Sequence, residues 1–414
     1  MGAGSSVAAK HEKAANPEVV GANADGDGTS AAAAKDTGSE SKALSAHLEK
    51  LLKFRDTWQA GRHTFYSWHS QTVEDALEPE LEIVDSHHHL WDMRELQGYN
   101  LFGLFKQQYY MTDELVEEIL GSGHNVTHTV YIEAHSFHSV NVDAVMKPLG
   151  EVRMAQGVAA QFASGKYGST RAVGGIVGTA DLLKHGVGVE PLLAACKSTC
   201  SNYRGIRVSG HFDGKVTDGF RVGEPGIYGQ PKFREGFALL EKFDLVFDAF
   251  VFASQLQELH ALATAFPGIT IVMDHMGAPP AALGNYEKAT GYNDKQEDIL
   301  AQWKRDMTRI AKECPNVNVK VGGFIPQLGH GFDGRAKPPS SEEVAAVIGD
   351  MCLCTIRAFG CGRCMLESNF PVDKCGVSYT VLWNAFKRIT KVAGFSDDER
   401  KLLFSGTAKR VYRL

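Results

Sequence analysis

The stretch Leu81-Glu82-Ile83-Val84-Asp85-Ser86-His87-His88-His89-Leu90-Trp91-Asp92 sets the reading of this chain. It opens as a short apolar run and ends in a cluster of imidazoles. On a β-strand, residues i and i+2 point the same way, so His87 and His89 aim to one side and His88 to the other. Two imidazoles side by side are half of a metal site, or a pair of hydrogen-bond donors for a carbonyl. A His-rich strand end without a ligand is the plainer alternative, and the rest of the chain weighs against it.

Seven more short runs follow, at 127–133, 173–178, 203–208, 245–252, 269–274, 317–321 and 363–368. Most are rich in Val, Ile and Phe without polar alternation, as buried parallel strands are. Helical patterns lie between them, among them 234–243, 255–265, 296–314 and 341–358, with a last helix over 397–412. Strands alternating with helices imply βα units and a parallel sheet. Eight such units predict an α/β protein with a (β/α)8 barrel.

In such a barrel the chemistry lies at the C-terminal ends of the strands. The residues at those ends are His87 and His89, Glu133 and His135, Arg207 with Ser209 and His211, Asp248, His275, Lys320, and Glu367 with Asn369. These groups bind metals, move protons or hold anions, and their recurrence at one end of run after run points to an enzyme. His275 closes a second apolar strand, 271–275, so a third inward imidazole completes a metal set or polarises a carbonyl. His87, His89 and His275 are thus the candidate ligands of one divalent metal, zinc foremost, with metal-free catalysis by the same imidazoles left open. Arg207 is the candidate for gripping a substrate carboxylate bidentately, with Arg221 in the following loop a second. Asp248 and Lys320 join it as substrate-binding candidates. Lys320 sits in an otherwise apolar strand, where an unpaired ammonium is costly, so it is functional or paired.

The 414 residues are 43% hydrophobic and 22% charged, the make-up of a soluble globular protein. No apolar run approaches the roughly 20 residues of a membrane-spanning helix. A net charge of -6 argues against a nucleic-acid partner, leaving a small-molecule substrate. No secretory signal opens the chain, so the eight cysteines are expected as reduced thiols in the cytoplasm. Cys361 and Cys364, Cys352 and Cys354, and Cys196 and Cys200 fall on helical or strand patterns rather than turns, which favours packing over zinc. No nucleophile elbow, zincin helix, Walker loop or dinucleotide fingerprint is present.

Three regions are expected: a disordered tail over 1–42, a helical lead-in over 43–80 and the barrel over 81–414. The tail opens Met1-Gly2-Ala3-Gly4-Ser5-Ser6, a fit to the N-myristoylation pattern. One acyl chain binds a membrane only marginally, so peripheral contact is expected only if Gly2 is acylated. The oligomeric state is open.

Several motifs together resemble one family. They are I-V-D-x-H-x-H with L-W-D at 83–92, R-G-I-R at 204–207, F-D-A at 247–249, D-H-x-G at 274–277, V-K-x-G-G at 319–323, the segment 363–372 ending S-N-F-P-V, and the end at 404–414. The chain resembles the amidohydrolase superfamily in its amidohydrolase-related branch, and its motifs are most similar to the lactonase-like group. That branch includes lactonases of sugar lactones and of 2-pyrone-4,6-dicarboxylate, and also decarboxylases. The resemblance implies a hydrolase that opens the lactone of a small carboxylate or sugar acid. A metal-dependent decarboxylase, or a barrel that has lost catalysis and binds a ligand, are the alternatives.

Two departures stand out. Ala253 occupies a position where family members often carry His. Asn369 stands where hydrolytic members carry the Asp that takes a proton from water, and an amide cannot do so. Glu367, two residues earlier, shares the inward face, and Asp373 follows four residues later. Either could substitute, with direction favouring Glu367. The loops after the first, fourth and sixth strands, including 210–231 and 277–294, are expected to close over the substrate.

Overall fold

Runs of Val, Ile and Phe without polar alternation are buried on both faces, which a parallel sheet wrapped by helices provides. The computed structural model describes residues 66–93, 107–217 and 224–414. The expected tail, most of the lead-in, Gly2 and Arg221 lie outside them.

Among the described residues, the eight strands of one sheet alternate with eight helices of the barrel wall. In chain order they are β1 (Ile83–His88), α1 (Thr112–Gly121), β2 (Val126–Ile132), α2 (Leu149–Ala163), β3 (Arg171–Thr179), α3 (Glu190–Thr199), β4 (Tyr203–Ser209) and α4 (Pro231–Phe237). They continue as β5 (Val246–Phe250), α5 (Leu256–Ala265), β6 (Ile271–Met273), α6 (Gln296–Glu313), β7 (Val317–Val321), α7 (Ser341–Phe359), β8 (Cys364–Leu366) and α8 (Tyr379–Val392). A short helix, α9 (Thr407–Tyr412), ends the fold. The strands pair in sequential order in one sheet, and each of those pairings is parallel. This is the expected (β/α)8 barrel.

The last gap, between β8 and β1, is closed by bonds from the ends of both strands and the residues just beyond them. His89 N donates to Phe370 O at 2.8 Å and Asn369 N to His87 O at 2.9 Å. Ser86 Oγ donates to Leu366 O at 2.8 Å.

Helix boundaries follow local chemistry. Pro231 at the first position starts α4 before the expected 234. Ser340 and Glu343 form a reciprocal capping box that starts α7. The helix expected over 397–412 is broken by a π-helical turn at Leu402–Gly406. All eight cysteines are free thiols, most of them buried, as the packing reading expected.

The barrel interior is layered. Val84, Val130, Ile132, Val177, Val246, Val272 and Met365 fill its floor, closed by Ala408, Val411 and Tyr412 of α9. Strand alternation brings the residue two positions on to the same inner face. Two positions beyond Val246, Val272 and Met365 stand Asp248, Asp274 and Glu367. An apolar floor thus carries a charged layer toward the mouth.

The loops after β4 and β6 are fastened to each other rather than free. Thr217 N donates to Lys288 O at 2.8 Å and Thr290 N to Lys215 O at 2.7 Å. The β6 loop is also tied to the β7 loop, through Ala281 N to Gln327 O at 2.7 Å.

Candidate active site

The site begins at the irregular end of β1. The β1–β2 pairing shifts register between Asp85 and His88, which resets the side-chain alternation. Val84 therefore lies in the floor, while His87 turns inward and touches the β7 side chain Lys320. Asp85 locks this geometry: Oδ1 accepts from Ser368 N at 2.9 Å and Oδ2 from Tyr379 OH at 3.0 Å. Burial pushes the Asp85 carboxyl up to about 6. His88 is directed away, with Nε2 2.8 Å from Thr129 Oγ1.

Three imidazoles gather at the mouth. The ring centroids of His87 lie 4.8 Å from those of both His89 and His275. His89 Nδ1 faces Ile132 O at 3.0 Å, and its Nε2 is 3.1 Å from His87 Nε2. Trp91 stacks on His89, and Phe250 turns its edge to His275. His275, Met276, Gly277 and Ala278 all have positive φ, a left-handed stretch that aims His275 across the barrel.

Glu367 bridges two of these rings. Its Oε1 is 2.8 Å from His275 Nδ1. Its Oε2 is 2.9 Å from His87 Nδ1. Burial opposes its charge, yet His275 and His87 hold the carboxyl down to about 2. Burial and then Lys320 push the His87 imidazole well below its usual range, and burial does the same to His89, helped by Arg207.

Two glycines make room for this cluster. A Cβ on Gly322 would lie 2.4 Å from Glu367 Cγ, and one on Gly323 would lie 1.8 Å from His275 Nδ1. Both belong to the V-K-x-G-G motif at 319–323, directly after the strand that carries Lys320.

The other predicted residues separate by geometry. Asp373 is fully engaged: Oδ2 accepts from Phe324 N at 2.7 Å and Oδ1 from Asn369 Nδ2 at 2.8 Å. Burial lifts this carboxyl well above its ordinary range. Asn369 turns its amide donor to Asp373, and its Oδ1 is buried without a partner.

Arg207 is not open to a substrate carboxylate in the way expected. Its Nε donates to Glu133 Oε1 and its Nη2 to Glu133 O, both at 2.7 Å. Asp248 and Lys320, expected at the substrate, lie fully buried and paired instead, with Nζ 2.5 Å from Oδ2. Lys320 also reaches Asp274 Oδ1 at 3.1 Å, and Tyr412 OH donates to Asp248 Oδ2 at 2.8 Å. Asp274, which sequence reasoning passed over, and Tyr412 thus belong to the layer beneath the imidazoles.

Electrostatics fit a cation. Glu133, Asp248, Asp274 and Glu367 are four buried carboxylates around the site, with the cations Lys320 beside Asp248 and Asp274 and Arg207 beside Glu133. Buried oxygens of Asp248, Asp274 and Asn369 lack hydrogen-bond donors. Donor atoms of His87, His275 and Glu367 lie within 4.8 Å of one another, a spacing that suits one metal ion. His89 stands beside this trio, against His87. The His87 and His89 imidazoles, disfavoured as cations, and the ionised Glu367 carboxylate suit the protonation states a divalent ion requires.

The family model described as Amidohydrolase matches residues 200–414. The chain belongs to the amidohydrolase family. It is a hydrolase by that membership. An uncharacterized protein of Sinorhizobium fredii, y4mH, is 31% identical over 351 residues, covering 81% of this chain and 99% of its own. An L-fucono-1,5-lactonase of Burkholderia multivorans is 30% identical over 183 residues, or 44% of this chain and 56% of that enzyme. A crystal structure of a Burkholderia multivorans amidohydrolase with bound zinc shares the fold at a TM-score of 0.57 and 24% identity, covering 80% of this chain and 99% of that one.

Proposed function

We propose that this amidohydrolase is a lactonase, hydrolysing the cyclic ester of a small carboxylic or sugar acid in the cytoplasm. The observation that carries the reading is the convergence of His87, His275 and Glu367 at the barrel mouth. The partial match to a lactonase supports the choice of substrate class.

A divalent ion, zinc foremost, would be held by His87, His275 and Glu367 with His89 beside them, and would supply Lewis-acid polarisation of the carbonyl. The chain's own groups then act as follows. Trp91 and Phe250 flank the imidazoles and shield the reacting carbonyl from bulk water. Water attacks the acyl carbon, and its proton passes to Glu367 Oε2. The carbonyl electron pair moves to oxygen, and that charge develops beside His87, His89 and His275 at the barrel mouth. As the carbonyl re-forms, the ring C–O bond breaks and the leaving alkoxide recovers the proton from Glu367. The product is an open hydroxy acid. Asp373, with both oxygens engaged, positions Asn369 and the Phe324 backbone rather than moving a proton.

Acid release over a panel of lactones tests this reading, with the intact protein beside a His87→Ala/His89→Ala variant. Release by the first and not by the second is expected. Absence of turnover on every lactone, with CO2 release from aromatic acids instead, would replace it with a decarboxylase.

A further inference from the structure

His87, His89 and His275 are buried at the mouth. His135, just past the end of β2, is not: its side chain is 47% exposed. Its backbone is left-handed, with φ 54°, and so is that of Phe137, with φ 57°. Bulky residues rarely take that conformation, and where they do the surrounding structure must impose it.

Glu151 of α2 is what imposes it. This buried carboxylate accepts at Oε1 from Ala134 N at 2.8 Å, from Ser136 N at 3.1 Å and from Tyr131 OH at 2.8 Å. The residues on either side of His135 are thus tied to one oxygen, and the ring between them is left to lie beside Glu133. His135 Nδ1 is 3.4 Å from Glu133 Oε2, and His135 N donates to the same oxygen at 3.2 Å.

Glu133 links this ring to the site. Its Oε1 accepts from Arg207 Nε, and Arg207 Nη1 reaches within 3.8 Å of Asp274 Oδ2. The residue before it, Ile132, offers its carbonyl to His89 Nδ1 at 3.0 Å. His135 therefore stands at the rim, on the strand paired with the one that ends in His87 and His89. A carboxylate only accepts, so Glu133 favours the His135 proton on Nδ1. Nε2, across the ring, is then an acceptor on the open side. A lone pair there repels a carboxylate and suits a hydroxyl.

We propose that His135 is a specificity residue that takes a hydroxyl of the substrate, so that the acid this site accommodates is a polyhydroxy acid rather than a plain one. The proposal rests on the lactonase reading for the reaction, but the contact itself is one of binding and is read without turnover.

NMR titration of the full-length protein with gluconate and with 6-hydroxyhexanoate tests it. The two acids share chain length, carboxylate and terminal hydroxyl, and differ only in the hydroxyls between. Wild type is expected to prefer gluconate. His135→Ala is expected to lose about fivefold of that preference, the worth of one neutral hydrogen bond, with its affinity for 6-hydroxyhexanoate unchanged. His135→Phe keeps a ring, removes both nitrogens and is expected to lose as much. No preference in wild type, or the same preference in the variants, overturns the proposal. An equal loss of both acids overturns it too, because that marks a merely structural role. If His135→Ala fails to fold, His135→Phe decides it. Lactone hydrolysis without this preference would leave the reaction standing and remove the proposal. The preference without lactone hydrolysis would do the reverse.

Discussion

The floor and the mouth of the barrel are built by the same strands two residues apart. Val246, Val272 and Met365 pack against Tyr412 of α9 in the floor, while Asp248, Asp274 and Glu367 stand one inward step above them, equally buried. The floor is apolar, held by dispersion and exclusion of water, apart from the Tyr412 hydroxyl that reaches up to Asp248. The mouth carries charges that burial penalises, each balanced by a specific partner: Lys320 for Asp248 and Asp274, the imidazoles for Glu367. One layer supplies stability to a site whose own charges work against it. Substitutions in the two layers should therefore fail in different ways.

The sharpest contrast lies on β8 and the residues that follow it. Glu367→Gln is expected to lower lactone turnover by about 10²- to 10⁴-fold, the range for a lost acid–base group, with little change in unfolding midpoint. Met365→Ala, two residues earlier, is expected to lose about 2–5 kcal/mol of stability in denaturant titration while keeping its turnover per folded molecule. Equal loss of turnover in both would erase the distinction. Gly323→Ala comes next, because its Cβ would lie 1.8 Å from His275 Nδ1. It is expected to cost about 1–3 kcal/mol and most of the activity, with the circular dichroism of the barrel retained.

Acid should act through imidazoles that are buried neutral. His88 has its pKa lowered to about 4 by burial. A base with a depressed folded pKa stabilises the fold above its ordinary 6.5 and loses that contribution as pH falls toward 4. By linkage this is worth about 3 kcal/mol at pH 4. Denaturant midpoints of wild type should fall across that window, and those of His88→Gln should fall less. The smallest effect is expected at Asp373→Asn, under about tenfold in turnover, because its oxygens serve Asn369 and the Phe324 amide. A loss as deep as that of Glu367→Gln would make Asp373 the proton acceptor instead.

Much of this arrangement was legible in the sequence, for a physical reason. Strand periodicity and strand ends are local signals, so the eight runs, His87, His89, His275 and Glu367 could be read directly. Pairing is not local. Lys320 and Asp248 are 72 positions apart, and Arg207 and Glu133 are 74 apart. Residue type alone could say that Lys320 was functional or paired, but not with which partner. Arg207 and Asp248 read as substrate contacts because each is a polar residue at a strand end, and only the folded neighbours showed them engaged by protein. The role of Gly322 and Gly323 was hidden similarly, since the side chains they accommodate come from β8 and β6.

The most direct measurement is hydrolysis of a turned-over lactone in oxygen-18 water, followed by mass spectrometry of the product. Attack by water on the acyl carbon, assisted from the mouth of the barrel, predicts the label in the product carboxylate with wild type and almost none formed by Glu367→Gln. Label in the hydroxyl instead, or undiminished labelling by Glu367→Gln, would contradict it.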